Sequence, residues 1–410
     1  MEPKPEVARS IRRLREGYAR GLRELMMVNR RPGTINLSGG VPNPATVPDG
    51  LLERLCHEAL ADNPRRLYEY AGPGGLPELR EAIAARLAED GTPVTPDEVV
   101  VTNGSQQAIA LAALSAREEG RIAICETPGY SSVPQLFMLY SETVLTVPRD
   151  SAGLNLDQLS ALAAGKRIVL YVCPDFQNPT GETMSATRRH QLAEWVKRND
   201  ALVIDDEIFR DLRFEGAEPP SLYSMLPPGR RILVSSISKS FMTGLRCGFL
   251  ASDRAIVNEL LVFKRYLDLG APSLTQAIWS AFLHDGYDKH LDKMRANYRL
   301  RREVALGALE KDMPKTVSWT RPEGGFQLWV TMPAGTSSIQ LFLQGIEQDV
   351  AIVPGPAHDI DGRFLSSFRL GYGACAPEEI RTGIYRLAHI IEGLAARPEQ
   401  AARSGFGIIV

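Results

Sequence analysis

Four short stretches carry side chains whose types and spacing could do chemistry. Ser235-Ser-Ile-Ser-Lys-Ser-Phe-Met-Thr-Gly-Leu-Arg246 sets Lys239 in a serine-rich run between two apolar runs. An amine there, with the cation Arg246 nearby and little competing charge, can have a lowered pKa, as a Schiff-base lysine requires. Val203-Ile-Asp-Asp-Glu-Ile-Phe209 ends an apolar run on adjacent carboxylates. Consecutive strand residues face opposite ways, so only one of Asp205 and Asp206 can face a ligand. A carboxylate buried at such a place needs a cationic partner. In Pro174-Asp-Phe-Gln-Asn-Pro-Thr-Gly181, Pro179 forces Asn178 into an extended conformation and so fixes where its amide points. Val101-Thr-Asn-Gly-Ser-Gln-Gln-Ala108 leads from a strand into an apolar helix, whose free N–H groups and macrodipole suit a phosphate. Each stretch alone also has an ordinary reading: a solvated lysine, helix-capping acids, a surface turn, a capped helix.

The elements that must position these groups show in the alternation of the chain. Strand-like runs occupy Glu98–Thr102, Arg121–Cys125, Thr143–Val147, Arg167–Cys173, Ala201–Asp205, Arg231–Ser235 and Cys247–Ala251. Helical patterns such as Gln106–Ala116 and Ala186–Val196 lie between most of them. This spacing predicts an α/β fold of βαβ units, with a mostly parallel sheet and helices on both faces. The link from Ser235 to Cys247 is too short for a helical crossover, so the strand at Cys247 is expected to run antiparallel. One long helical stretch, roughly 273–312, precedes a second, smaller unit of β then α. Ligands of open α/β sheets sit beyond the carboxyl ends of the strands, which is where the four stretches fall.

Composition narrows the function classes. At 410 residues the chain is long enough for two or three domains. Its 47 Lys and Arg against 49 Asp and Glu leave no global field to hold nucleic acid. Cys56, Cys125, Cys173, Cys247 and Cys375 are odd in number and scattered. That pattern excludes a disulfide framework and a cysteine zinc site, fits a reducing cytosol, and leaves no metal to expect. No apolar run reaches the roughly 18 residues that a membrane span needs. Residues 1–34 stand apart, with nine Lys and Arg against four Glu. Val7, Ile11, Leu14, Tyr18, Leu22 and Leu25 make one apolar stripe on a basic helix. This arm is expected to pack on its own protein or a partner subunit, with membrane-surface or nucleic-acid binding as the alternative.

Together and in this order the stretches resemble one family, the fold-type I pyridoxal-5′-phosphate enzymes of the class I/II aminotransferase group. The chain is especially similar to the aminotransferase-like domain that some bacterial regulators carry behind a winged helix. The resemblance covers about residues 35–395 and also rests on Asn36-Leu-Ser-Gly-Gly-Val-Pro42, Tyr68-Glu-Tyr-Ala-Gly-Pro-Gly-Gly75, Glu126-Thr-Pro-Gly-Tyr130, Pro322-Glu-Gly-Gly-Phe326, Val353-Pro-Gly355 and Phe368-Arg-Leu-Gly-Tyr372.

The resemblance implies a large cofactor domain, 51–299, with a mostly parallel seven-stranded sheet. It also implies a smaller α/β domain drawn from both chain ends, 35–50 and 300–410. Lys239 would form the Schiff base and shuttle the α-proton of the substrate. Asp206, three residues before an aromatic, would pair with the pyridine nitrogen and keep the ring an electron sink. Asn178 would donate to the ring's phenolic oxygen on the substrate side, and Tyr130 would stack on the ring. Gly104, Ser105, Gln106, Ser236 and Arg246 would hold the phosphate. Tyr70 would reach the phosphate of a neighbouring subunit, which implies a homodimer with shared active sites. Arg369 would clamp the substrate carboxylate bidentately, and Gly39 and Gly40 would close over it. At Phe209 the sequence departs from the family, which usually has a tyrosine whose hydroxyl donates to the phenolic oxygen.

The function expected on this resemblance is a cytoplasmic amino-acid aminotransferase, working ping-pong between an amino acid and a 2-oxo acid. The alternative is a same-fold enzyme of decarboxylation, elimination, cyclisation or oxidation, all of which pyridoxal phosphate supports; Phe209 is its motive. A third reading is an amino-acid-sensing regulator, whose winged helix needs more chain than the 34-residue arm supplies. No residue type announces the substrate side chain.

Overall fold

The computed structural model describes residues 33–62, 64–118 and 120–396. The basic stripe read from Val7 to Leu25 therefore lies outside the described residues. In chain order the strands begin with β1 (Ile35–Asn36), β2 (Val99–Thr102), β3 (Arg121–Thr127), β4 (Val144–Asp150) and β5 (Gly153–Leu154). They continue with β6 (Arg167–Val172), β7 (Ala201–Asp206), β8 (Arg231–Ser236), β9 (Gly248–Ser252) and β10 (Ser318–Trp319). Last come β11 (Gln327–Thr331), β12 (Val350–Ala351), β13 (Val353–Pro354) and β14 (Ser367–Gly371).

The large sheet has the order β2-β9-β8-β7-β6-β3-β4-β5. All seven expected runs are strands in it. The eighth, β5, is a two-residue hairpin return onto β4. Strands β4, β3, β6, β7 and β8 are mutually parallel, and β9 runs antiparallel to both β8 and β2, as the short link before Cys247 requires. Because helices cover both faces, the central strands read as unbroken apolar runs instead of alternating ones. Along β6, Val169 and Tyr171 enter the core on one face, while Ile168, Leu170 and Val172 enter that on the other.

The helical stretch 273–312 is two helices, Ser273–His284 and Tyr287–Asp312. Gly286 separates them in a left-handed conformation (φ 104°) that glycine adopts without penalty. A second, antiparallel sheet, β10-β11-β14-β13, carries Arg369 at the middle of β14. The short β1 pairs in parallel with β12, and Gly371 N donates to Leu37 O at 2.7 Å. These links bring the loop after β1 over the carboxyl ends of the large sheet.

Candidate active site

A cavity of about 640 Å³ opens where that loop, the carboxyl ends of β6 and β7, and the segment after β8 meet. Gly39, Gly40, Ser105, Gln106, Tyr130, Asn178, Asp206, Phe209, Lys239, Arg246 and Arg369 all line it. Residues drawn from across the chain thus share one chamber.

Asp206 ends β7 and is buried. Its Oδ2 accepts the Tyr171 hydroxyl at 2.5 Å and its Oδ1 the Ile208 amide at 3.1 Å. Burial raises its pKa to about 6, against the pull of those donors and of Lys239. Asp205 faces the other way, accepts Tyr223 N at 2.8 Å and does not line the cavity. Lys239 is half-buried, and its Nζ donates to Gly40 O at 2.5 Å. Withdrawal of the amine from water, then the charges of Arg369 and Arg246, lower its pKa to about 8 against the opposing pull of Asp206.

At one end of the cavity the helix Ser105–Ala113 begins. Gly104 caps it with φ 77°, and a Cβ there would sit 2.6 Å from Arg246 Nη2. Only glycine lets the guanidinium lie against the first turn, where the N–H groups of Ser105 and Gln106 precede the first intrahelical bonds. Arg246 is exposed in the single chain and donates to Thr243 O and Asn103 O. Behind this turn Asn103 and Gln107 donate to Asp268 at 2.8 and 2.7 Å, and buried Lys264 pairs with Asp268 at 2.9 Å.

At the other end lies buried Arg369, whose Nη1 donates to Asn178 Oδ1 at 2.9 Å and Nη2 to Ser38 O at 2.7 Å. Its Nε has no partner, and burial lowers its pKa to about 10. A Cβ on Gly40 would stand 3.5 Å from Arg369 Nη1. Tyr130 donates its hydroxyl to Gln106 Oε1 at 3.0 Å. Just before it, Gly129 N donates to His358 O at 2.8 Å, while His358 Nδ1 meets Gly129 O at 3.0 Å. Thr127 donates to Asp359 Oδ1 at 2.6 Å, so two segments of the two sheets are clasped beside Tyr130.

Phe209 is buried, edge-on to Phe326 with ring centres 5.6 Å apart. The hydroxyls of Tyr130 and Tyr171 are bound to Gln106 and Asp206, so neither stands in for a hydroxyl at position 209. Two of the expected site residues lie elsewhere. Ser236 borders a smaller cavity with Arg86, Asp211 and Tyr287; its Oγ accepts Ser238 N at 3.2 Å, and Ser238 lines the main chamber instead. Tyr70 is 82% exposed on the surface. Sequence reasoning missed Tyr171, Cys173, Ile208, Ser238 and Thr243 in the lining. For the first two the signal was present: they are two apart at the end of one strand and so share a face.

An amine, a buried carboxylate, two guanidinium groups and a helix start around one chamber fit a ligand with an aldehyde, a basic ring nitrogen and a phosphate. Residues 33–387 match the model of the family described as aminotransferase class I and II. The chain is 33% identical over 380 residues to the 2-aminoadipate transaminase of Thermus thermophilus, covering 92% of this chain and 94% of that one. It is 32% identical over 379 residues to aromatic-amino-acid aminotransferase 1 of Thermococcus litoralis, covering 90% and 91%. The crystal structure of an α-aminoadipate aminotransferase from Thermus thermophilus, complexed with N-(5′-phosphopyridoxyl)-L-leucine, superposes with a TM-score of 0.86 at 31% identity, over 95% of this chain and 98% of that one. HTH-type transcriptional regulators match as well, one from Bacillus subtilis at 28% identity over 334 residues, 80% of this chain and 68% of the regulator. The chain belongs to the class I and II aminotransferases, a fold-type I enzyme that depends on pyridoxal phosphate.

Proposed function

We propose that the protein is an amino-acid aminotransferase that passes an amino group from an amino acid to a 2-oxo acid in two half-reactions at the Lys239 chamber. The observation that carries this reading is the placement of Lys239, Asp206 and Arg369 around one cavity. When bound, pyridoxal phosphate supplies the electron sink for charge developing at the substrate's α-carbon. Lys239 Nζ would hold the cofactor and, as a free amine, would carry the substrate's α-proton. A pKa near 8 leaves part of the amine unprotonated and able to accept it near neutral pH. The Asp206 carboxylate would hold the ring nitrogen as its protonated form. The first-turn N–H groups of Ser105 and Gln106, with Gly104 and Arg246, hold the phosphate, and Ser236 supports them from behind Ser238. Asn178 and Tyr130 would hold the ring between them. Arg369 takes the α-carboxylate with its guanidinium, and Gly39 and Gly40 roof the site.

A second reading, a different α-amino-acid reaction on the same cofactor, is favoured by Phe209, which packs on Phe326 and offers no hydroxyl. Offering the purified protein each amino acid in turn, while following the visible cofactor band and 2-oxo acid formation, separates the two. Spectral change with 2-oxo acid supports transamination; CO2, ammonia or a cyclic product without it supports the second. Borohydride reduction and peptide mapping must find the pyridoxyl group on Lys239, and its appearance on another lysine removes the assignment.

We read the enzyme as a homodimer with shared sites. Tyr68, Tyr70 and Tyr266 are 82%, 82% and 84% exposed, and Ser273 donates to Glu69 O between their two segments. Such exposed aromatic side chains on adjoining segments suit burial against a second copy. Mixing Tyr70→Phe with Lys239→Ala protein should restore some activity through mixed dimers, and a monomer in solution defeats this reading. The lobes proposed are 51–299 on one side and 35–50 with 300–410 on the other, supported by the β1–β12 pairing; of these, 397–410 lie outside the described residues. Cytoplasmic residence is supported by the free cysteines Cys56, Cys125, Cys173, Cys247 and Cys375.

A further inference from the structure

We propose that Tyr171 is a positioning residue for Asp206: its hydroxyl fixes the carboxylate toward the cavity and holds it as the anion. The proposal rests on the reading of Asp206 as partner of the cofactor's ring nitrogen and assigns a role to a residue outside that set. Tyr171 is the fifth residue of β6, 2% exposed, and pairs in register with Ile204 of β7, two residues before Asp206. A phenylalanine would fill the same apolar volume. What the core does not explain is the hydroxyl, which ends in the chamber on Asp206 Oδ2 at 2.5 Å.

With Ile208 N on Oδ1, each carboxylate oxygen receives one donor, which blocks rotation and leaves a lone pair on each for a ligand. A charge-assisted bond of this kind favours the ionised form of the acceptor. Burial and the neighbouring Asp206 charge raise the Tyr171 phenol well above its ordinary range, so it stays a donor throughout the working pH range. The charged and titratable groups around Asp206 are few. Lys239 favours its anion; Glu126 opposes it but is paired with Arg149; Tyr130 and Cys173 are neutral neighbours whose own ionisation burial suppresses. The Tyr171 bond is the first of the influences that oppose burial at Asp206. A protonated Asp206 could not accept the proton of a ring cation, so losing the anion would disable the electron sink at the acid end of the pH range.

The test is Tyr171→Phe, read in two ways. In cofactor-free protein, carboxyl carbon NMR should show the Asp206 titration moved up by about one pH unit. In loaded enzyme the acid limb of kcat/KM against pH should move up by the same amount, with the alkaline limb unchanged. Because the variant could fail to fold, replacement of Tyr171 by 3-fluorotyrosine gives a second measurement. Its more acidic phenol is a stronger donor, and the Asp206 titration and acid limb should move down. An Asp206 titration that stays put in either protein overturns the proposal. If it moves but the protein makes no 2-oxo acid from any amino acid, the proposed function falls and the Tyr171 assignment stands.

Discussion

Asp205 and Asp206 are consecutive on β7, yet the charges that surround them are handled in opposite ways. On the Asp205 side, Asp175 accepts Arg189 Nη2 at 2.8 Å, Arg213 Nη2 at 3.4 Å and Arg210 Nη1 at 3.5 Å. Arg189 also donates to the carbonyls of Met184, Pro220 and Pro174, and Arg213 lies over the Phe176 ring. Glu207 takes the Ser221 hydroxyl at 2.6 Å. Burial and the nearby Glu207 push the Asp205 carboxyl well above the ordinary carboxylate value, against the pull of Arg189. On the Asp206 side, Lys239, Asp206 and Arg369 face an open chamber, and Arg369 Nε has no partner. Unmet bonding capacity does not separate the two sides, since Asp205 Oδ1 and Arg210 Nε also lack partners. What separates them is space: the Asp175 ion pairs fasten the sheet to its loops, whereas Lys239, Asp206 and Arg369 line a chamber with room for a ligand.

The sharpest way to break this contrast is to neutralise each aspartate in turn. Asp206→Asn should lower kcat/KM by roughly 10²–10³-fold, about 3–4 kcal/mol, as expected for removing one side of a buried charge pair. Asp205→Asn changes a group that lies outside the chamber and keeps an oxygen to accept Tyr223 N, so it should cost kcat/KM less than about tenfold, a fraction of what truncating one side of a buried charge pair costs. Equal losses in the two variants would end the distinction. Asp175→Asn should act on stability instead. It leaves buried Arg189 with backbone carbonyls alone, while Arg213 and Arg210 keep Glu323 and Glu218, and urea unfolding should report a loss of about 3–5 kcal/mol, with kcat kept in the fraction that remains folded.

A third comparison reverses the sign. The Asp206 pKa is raised, so ionising it costs stability, a cost absent below the ordinary carboxylate pKa of 3.8 and complete above about 6. Cofactor-free Asp206→Asn, whose amide oxygen can still accept from Tyr171, should therefore match the parent at pH 4 and exceed it by about 2–3 kcal/mol at pH 8. Urea midpoints at the two pH values check this. A variant that is inactive but more stable would mark Asp206 as a group held for chemistry at the expense of the fold. The smallest effect is expected of Phe209→Tyr, which should lower the pH at which the visible cofactor band changes by less than about one unit. An unchanged titration would show that position 209 does not touch the cofactor oxygen.

The positions of Asn178, Asp206 and Gly104 were legible because each is punctuated: a strand run stops, and proline, paired acids or glycine follow. The antiparallel β9 was legible from chain length alone. Gly286 was visible as well, but the apolar periodicity continues across it and hides the break between two helices. The hairpin β4–β5 escaped because Asp150-Ser-Ala-Gly153 reads as a plain turn and β5 is two residues long. Tyr171 escaped for a different reason. An aromatic within a buried strand satisfies every local rule as core, and only the neighbouring strand reveals what its hydroxyl touches. The same holds for Lys264 and Asp268, whose i, i+4 spacing on a helix looks like surface pairing. Their roles depend on Asn103 and Gln107, some 160 residues away in the chain.

The clasp between Gly129 and His358 has a mechanical consequence. It ties the two sheets together at one edge of the chamber, beside the wall that bears Tyr130 and near the strand that bears Arg369. Burial and the nearby Arg369 depress His358 to about 3, so no physiological acidification charges it and loosens the knot. Further ties join the same two parts, from Gln327 Nε2 to Phe176 O and from Thr320 Oγ1 to Thr180 O. The spacing between the Tyr130 wall and the Arg369 strand is therefore set by several bonds at once, like a gauge block between two jaws.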